Sequence, residues 1–137
     1  MPYIFVYGTL RKGLYNNWLL NESSFIGQYK TTNLFYMATQ KTKAFPFISP
    51  EPILNDTIPC KIVGEIYDIS LSVLEHLDNL EGHPHTYVRT PVQIDDFTEP
   101  VEAYVLNSMS IRDDIRQSGR YQEIRSGNFA EFVKTPV

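Results

Sequence analysis

The chain has 137 residues, with 12 Lys and Arg against 16 Asp and Glu, a net charge of −4, and 42% hydrophobic and 13% aromatic residues. That length suits one domain with one core, spanning 1–137, and the acidic balance leaves no nucleic-acid footprint. The lone cysteine, Cys60, excludes an intrachain disulfide and fits a reducing compartment, and the N-terminal apolar run is too short for a signal sequence or membrane span, so a cytoplasmic protein without membrane association is expected.

Tyr3–Tyr7 reads as a strand buried on both sides and stopped by Gly8. Asn16 or Asn17 can cap a short helix through Trp18, Leu19 and Leu20. Phe25 to Met37 reads as extended, with a bulge or bend at Gly27. Phe45 to Pro50 suits a sheet edge, because its prolines cannot donate to a ladder. Lys61–Asp68 is the next strand, with Ile62, Gly64 and Ile66 alternating against Val63, Glu65 and Tyr67.

SLSVLEHLDNLEG is the strongest helix, with a capping box from Ser72 to Glu75 or a cap at Ser70, and Gly82 and Pro84 to end it. Tyr87–Ile94 and Val101–Leu106 are strands joined by an acidic turn, and the tail from Arg112 is charged and loop-like with room for a short helix. Strands interrupted by one good helix give an α+β class, with a sheet that curls into a small mixed β-barrel.

On a wheel of about 100° per residue with Leu74 at 0°, Leu71, Leu77 and Leu80 extend the apolar arc, while Glu81 and Asp78 fall inside it near 340° and 40°. Both acids thus point toward the core. Glu81 also sits in the last turn, where burial and the helix dipole both raise a carboxyl pKa, as suits a general base. The alternatives are a helix that ends early and turns Glu81 to solvent, and a structural Asp78 that accepts hydrogen bonds from a neighbouring loop.

Gly8 and Gly13 begin a phosphate-loop pattern, but Leu14 and Tyr15 stand where it needs Lys and Ser or Thr. What survives is a tight turn, either a plain strand end or one whose N–H groups face an anion or carbonyl oxygen. Arg11 and Lys12 read as charges that solvate this loop, and Arg89 as a strand-surface residue. His83 and His85 lack a third metal ligand at a recognisable spacing, and Cys60 has no evident histidine partner for nucleophilic work.

Y-G-T-L-R-x-G from Tyr7, V-G-E-I-Y-D-I, and L-D-x-L-E-G followed by Y-x-R stand in this order from Tyr7 to Arg89. In these motifs the chain resembles the γ-glutamylcyclotransferases, most closely the branch of γ-glutamylamine cyclotransferase and the AIG2-like proteins. The resemblance implies a small β-barrel with a few packed helices. It also implies that Tyr7, Gly8, Thr9 and Leu10 line the pocket for a γ-glutamyl group, that Glu81 rather than Asp78 is the catalytic base, and that Tyr87 lies near the pocket. Relatives often carry His in place of Asn17, and Asp-Trp in place of Asn128-Phe129.

The reaction implied is attack of the α-amine of a γ-glutamyl compound on its own γ-carbonyl, releasing 5-oxoproline and an amine or amino acid. It needs no cofactor and no metal. The implied partner is a small-molecule γ-glutamyl substrate, with no nucleic acid and no membrane, in a monomer or weak homodimer. A different class remains open: a non-catalytic module that senses a γ-glutamyl-like acidic metabolite.

Overall fold

The N-terminal apolar run becomes strand β1, Tyr3–Val6, in a computed structural model that describes residues 2–134. Ile4 and Val6 join one apolar cluster and Phe5 another, so both faces of the strand are buried, as its unbroken hydrophobicity requires. A loop then leads to a 3-10 turn, Asn17–Leu20, with Asn16 at its cap position but without a side-chain capping bond. Strand β2, Ser24–Gln40, runs past the predicted end at Met37, and its register shifts between Phe25 and Gly27, the predicted bulge.

Strand β3, Pro46–Ser49, pairs with the second half of β2 and lies at a sheet edge. Strand β4, Cys60–Asp68, is buried continuously from Ile62 to Tyr67. Helix α1, Leu71–Glu81, leads to β5, Tyr87–Pro91, and β6, Glu102–Leu106. β5 stops short of the predicted Ile94, since Pro91 brings no N–H to a ladder.

The tail corrects its loop-like reading. It folds into helix α2, Met109–Ser118, strand β7, Tyr121–Glu123, and helix α3, Phe129–Lys134. Ser108 caps α2 by accepting from the Ile111 N–H, and Gly119 ends it in the left-handed region at φ 70°. Arg112 and Ile115 are both buried, while Asp114 is exposed and Asp113 and Arg116 are half-buried.

The described strands order β3-β2-β4-β1-β6-β5, with β7 paired to β2. β1 runs parallel to β6 and antiparallel to β4, so the sheet is mixed. Beyond β5 the chain curls back until Ile94 makes an isolated antiparallel bridge with Thr31 of β2. The result is an α+β fold with a barrel-like sheet that is not closed by a continuous ladder. Among the described residues no helix is long and apolar enough to cross a membrane.

α1 is capped by Ser70, whose side chain accepts from the Val73 N–H, and not by the Ser72 box. Its inward face is narrower than the predicted arc: Leu77 is buried, but Leu71 is 75% and Leu80 51% exposed. Leu71 is the first helical residue, and Leu80 at about 240° lies on the far side from the Leu74–Asp78–Glu81 face. Gly82 ends the helix at φ 67°, and the N–H of His83 returns to the Asp78 carbonyl. The helix therefore runs far enough to include Glu81, and the early-ending alternative is excluded.

Candidate active site

A cavity of about 850 Å³ opens between the loop after β1, the end of α1, and the α2–β7 segment. Tyr7, Gly8, Thr9 and Leu10 form one wall, and Glu81 and Tyr87 another. The residues named from the sequence are thus brought to one place by β1, α1 and the start of β5. Leu10 contributes backbone more than side chain, since its side chain is buried in the core.

The loop's hydrogen bonding is one-sided. The Gly8 carbonyl accepts from the Arg11 N–H, the Thr9 carbonyl from the Asn16 N–H, and the Leu10 carbonyl from Asn17 Nδ2 at 2.8 Å. The N–H groups of Gly8, Thr9 and Leu10 donate to no group among the described residues. Successive amides left free in this way form a cradle for an oxyanion or carboxylate. Gly8 has no positive φ; a Cβ there would instead meet Pro46 Cδ at 2.8 Å. Its glycine thus allows β3 to approach the loop, where any side chain would meet the proline ring.

Glu81 is half-buried, and no donor or cation among the described residues bonds to its carboxylate. Burial pushes its pKa up to about 7. Asp78, one turn earlier, differs: it accepts from Arg89 Nη1 at 2.8 Å and from the Tyr104 hydroxyl at 2.6 Å. Its structural reading holds, although its partners lie on β5 and β6 and not on a loop. Arg89 also approaches Glu102 at 3.3 Å, so it is a half-buried bridge and not a simple surface residue.

Three phenols surround Glu81 in the cavity wall. Tyr7, Tyr87 and Tyr104 are all held above the ordinary tyrosine range, first by burial; the Glu81 charge adds to this at Tyr7 and Tyr87, while at Tyr104 the bond to Asp78 and its charge come before Glu81. They stay neutral donors near an acid. Tyr7 spends its hydroxyl on the Tyr104 carbonyl at 2.6 Å, and Tyr104 spends its own on Asp78.

Sequence reasoning missed the far wall, where Ile111, Asp114, Ile115 and Ser118 of α2 stand beside Arg120 and Tyr121. The signal was available: Ser108 before Ile111 and Ile115, closed by Gly119, repeats the cap and stop of α1. Arg11 is a second correction. It is 4% exposed and pairs through Nε with Glu65 at 3.3 Å, while its Nη1 donates to Asn128 at 2.8 Å. Lys12 is exposed as expected and sits over the Phe25 ring. Asn17 and Asn128, the two departures from the family pattern, brace this loop from behind and do not line the cavity. His83 turns Nδ1 to the Arg89 N–H at 3.0 Å.

The curled mixed sheet, with a free-amide loop facing an unpaired acid, defines the class as a small AIG2-like α+β domain. The chain belongs to the gamma-glutamyl cyclotransferase, AIG2-like family, whose sequence pattern matches residues 4–130, and is an enzyme of the gamma-glutamylcyclotransferase type. It is 36% identical to a Methanocaldococcus jannaschii protein provisionally named a gamma-glutamylcyclotransferase, over 91% of this chain and 99% of that protein. It is 32% identical to gamma-glutamylaminecyclotransferase B of Danio rerio, over 83% of this chain but 63% of the fish protein. The crystal structure of an AIG2-like protein from Mus musculus shares the fold, with a TM-score of 0.65 at 24% identity over 80% of this chain and 81% of that one.

Proposed function

We propose that the chain, as one unit over 1–137, cyclises a γ-glutamyl amine or γ-glutamyl amino acid to 5-oxoproline and a free amine, with Glu81 as general acid and base. The observation that carries this reading is an unpaired carboxyl of pKa about 7 sharing a cavity with the free amides of Gly8, Thr9 and Leu10. A carboxyl titrating near neutrality can both take and return a proton, which an ordinary glutamate does poorly.

Glu81 takes a proton from the substrate α-ammonium. The freed nitrogen attacks the γ-carbonyl carbon, and the carbonyl π electrons move to oxygen, where the loop amides receive the negative charge. Collapse restores the carbonyl and breaks the bond to the leaving nitrogen, which takes the proton back from Glu81, while the ring nitrogen releases its second proton and the freed amine leaves as an ammonium. Nucleophile and electrophile belong to one molecule, so holding the folded conformer can supply about 7–11 kcal/mol of the barrier. One oxyanion donor contributes about 3–4 kcal/mol more. Tyr87, buried at the cavity wall, shapes the glutamyl end of the site beside Tyr7.

The test is a panel of γ-glutamyl compounds, γ-glutamyl-ε-lysine and γ-glutamyl amino acids included, assayed for 5-oxoproline. Release from at least one without added metal or nucleotide supports the reading. Binding without turnover across the panel replaces it with a sensor.

A further inference from the structure

Behind the free-amide loop lies a buried polar group that the reaction does not touch. Glu65, on β4, is 5% exposed and accepts three bonds: the Lys12 N–H at 2.9 Å and the Tyr67 hydroxyl at 3.0 Å on Oε1, and Arg11 Nε at 3.3 Å on Oε2. The Tyr67 oxygen in turn accepts from Asn17 Nδ2 at 3.1 Å, and the same Asn17 nitrogen donates to the Leu10 carbonyl. A buried carboxylate is costly unless every lone pair finds a donor. Here all the donors come from the loop or lead back to it. Glu65 pairs with Val6 in the β1–β4 register, so the clamp is seated on the strand that launches the loop.

We propose that Glu65 is a positioning residue, which holds Arg11, Lys12 and, through Tyr67 and Asn17, Leu10, so that the loop carbonyls turn inward and the Gly8–Leu10 amides stay free for substrate. It rests on the cyclotransferase reading, and it makes a distinct claim: Glu65 sets the affinity of the amide cradle and leaves the proton chemistry of Glu81 alone. No bond or ion pair joins Glu65 to Glu81.

The experiment compares wild type with Glu65→Gln, with Tyr67→Phe, and with the paired change Arg11→Met plus Glu65→Leu. The paired change removes both buried charges together and so avoids leaving one unpartnered. Calorimetric titration of 5-oxoproline, the pH profile of turnover, melting temperature and amide exchange are read for each folded variant. Glu65→Gln and the paired variant are expected to weaken 5-oxoproline at least tenfold and to raise KM similarly, with the pH midpoint of kcat unmoved. Tyr67→Phe is expected to do the same more mildly. The Arg11 and Asn16 amides, bonded to loop carbonyls, are expected to exchange faster while those of Ile4 to Val6 stay protected.

A lower melting temperature with unchanged affinity and loop exchange in these folded variants overturns the proposal, as does a shifted pH midpoint. If the wild type neither turns over nor binds 5-oxoproline, the cyclotransferase reading fails first. The exchange arm still decides whether Glu65 orders the loop, and unchanged loop exchange then overturns the proposal by itself.

Discussion

The hydroxyl of Tyr104 donates to Asp78 Oδ1 at 2.6 Å, and this bond separates the two inward acids of α1. Asp78 is committed to Tyr104 and Arg89, whereas Glu81 is left with an uncommitted carboxyl at the cavity. Asp78→Asn is therefore expected to lower stability by about 1.5–3 kcal/mol, the range for bonds to a charged group, with turnover per folded molecule nearly retained. Chemical denaturation and a titrated active fraction check both halves.

Glu81→Gln keeps the size of the side chain but cannot accept the ammonium proton. Turnover is expected to fall by about 10²–10⁴-fold, with 5-oxoproline binding largely kept. Loss of turnover in a folded Asp78→Asn variant and full activity in Glu81→Gln would exchange the two roles.

The rate should follow the ionised form of Glu81. Its pKa is raised to about 7 by burial, so kcat/KM is expected to rise with pH through a midpoint near that value. Stability runs the other way. The folded carboxyl holds its proton more tightly than the unfolded one, so its contribution is full below the unfolded value near 4.3 and lost as pH rises through about 7. Glu81→Gln is expected to exceed wild-type stability at pH 8 and to lose that advantage at pH 4, as denaturant midpoints will report.

Gly8→Ala drives a methyl into the Pro46 ring. The expected outcome is at least a tenfold loss of 5-oxoproline affinity, about 1.4 kcal/mol, because β3 and the loop cannot both keep their places. Pro46→Ala in the same protein is expected to restore most of it. Failure of that rescue in a folded double variant would show that the space at Gly8 serves the ligand and not the ring.

Arg11 and Lys12 are neighbours with opposite prospects. Arg11→Ala leaves Glu65 buried without its cation, a change that costs about 3–5 kcal/mol in comparable pairs. Lys12→Ala removes an exposed charge over Phe25 and is expected to cost under about 1 kcal/mol. Unfolding curves of the two variants give the comparison directly.

Strands β1 to β6 and α1 were legible because each carries its own hydrophobic pattern and its own stop signals. Glu81 and Asp78 were legible for the same reason: an acid inside an apolar arc announces itself on a helical wheel. What separates them was not, since Tyr104 and Arg89 reach Asp78 from strands distant in sequence. Arg11 misled because a charged residue after a turn ordinarily faces water. Its partner Glu65 sits 54 positions away, and only the β1–β4 register brings them together. The α2 wall was missed through its charge, which hid Ile111 and Ile115 within a polar run.

β1 lies between β4 and β6, so its backbone bonds on both edges come from residues 60–68 and 102–106. During synthesis at about 5–20 residues per second, roughly 5–20 s separate the emergence of β1 from that of its last neighbour. Until β4 emerges, a bare apolar ribbon, Tyr3–Val6, waits with both edges unsatisfied, and until β6 emerges it waits with one. The strand that leads into the Gly8–Leu10 loop is born early and housed late, which leaves the nascent chain open to mispairing at the segment that forms one wall of the cavity.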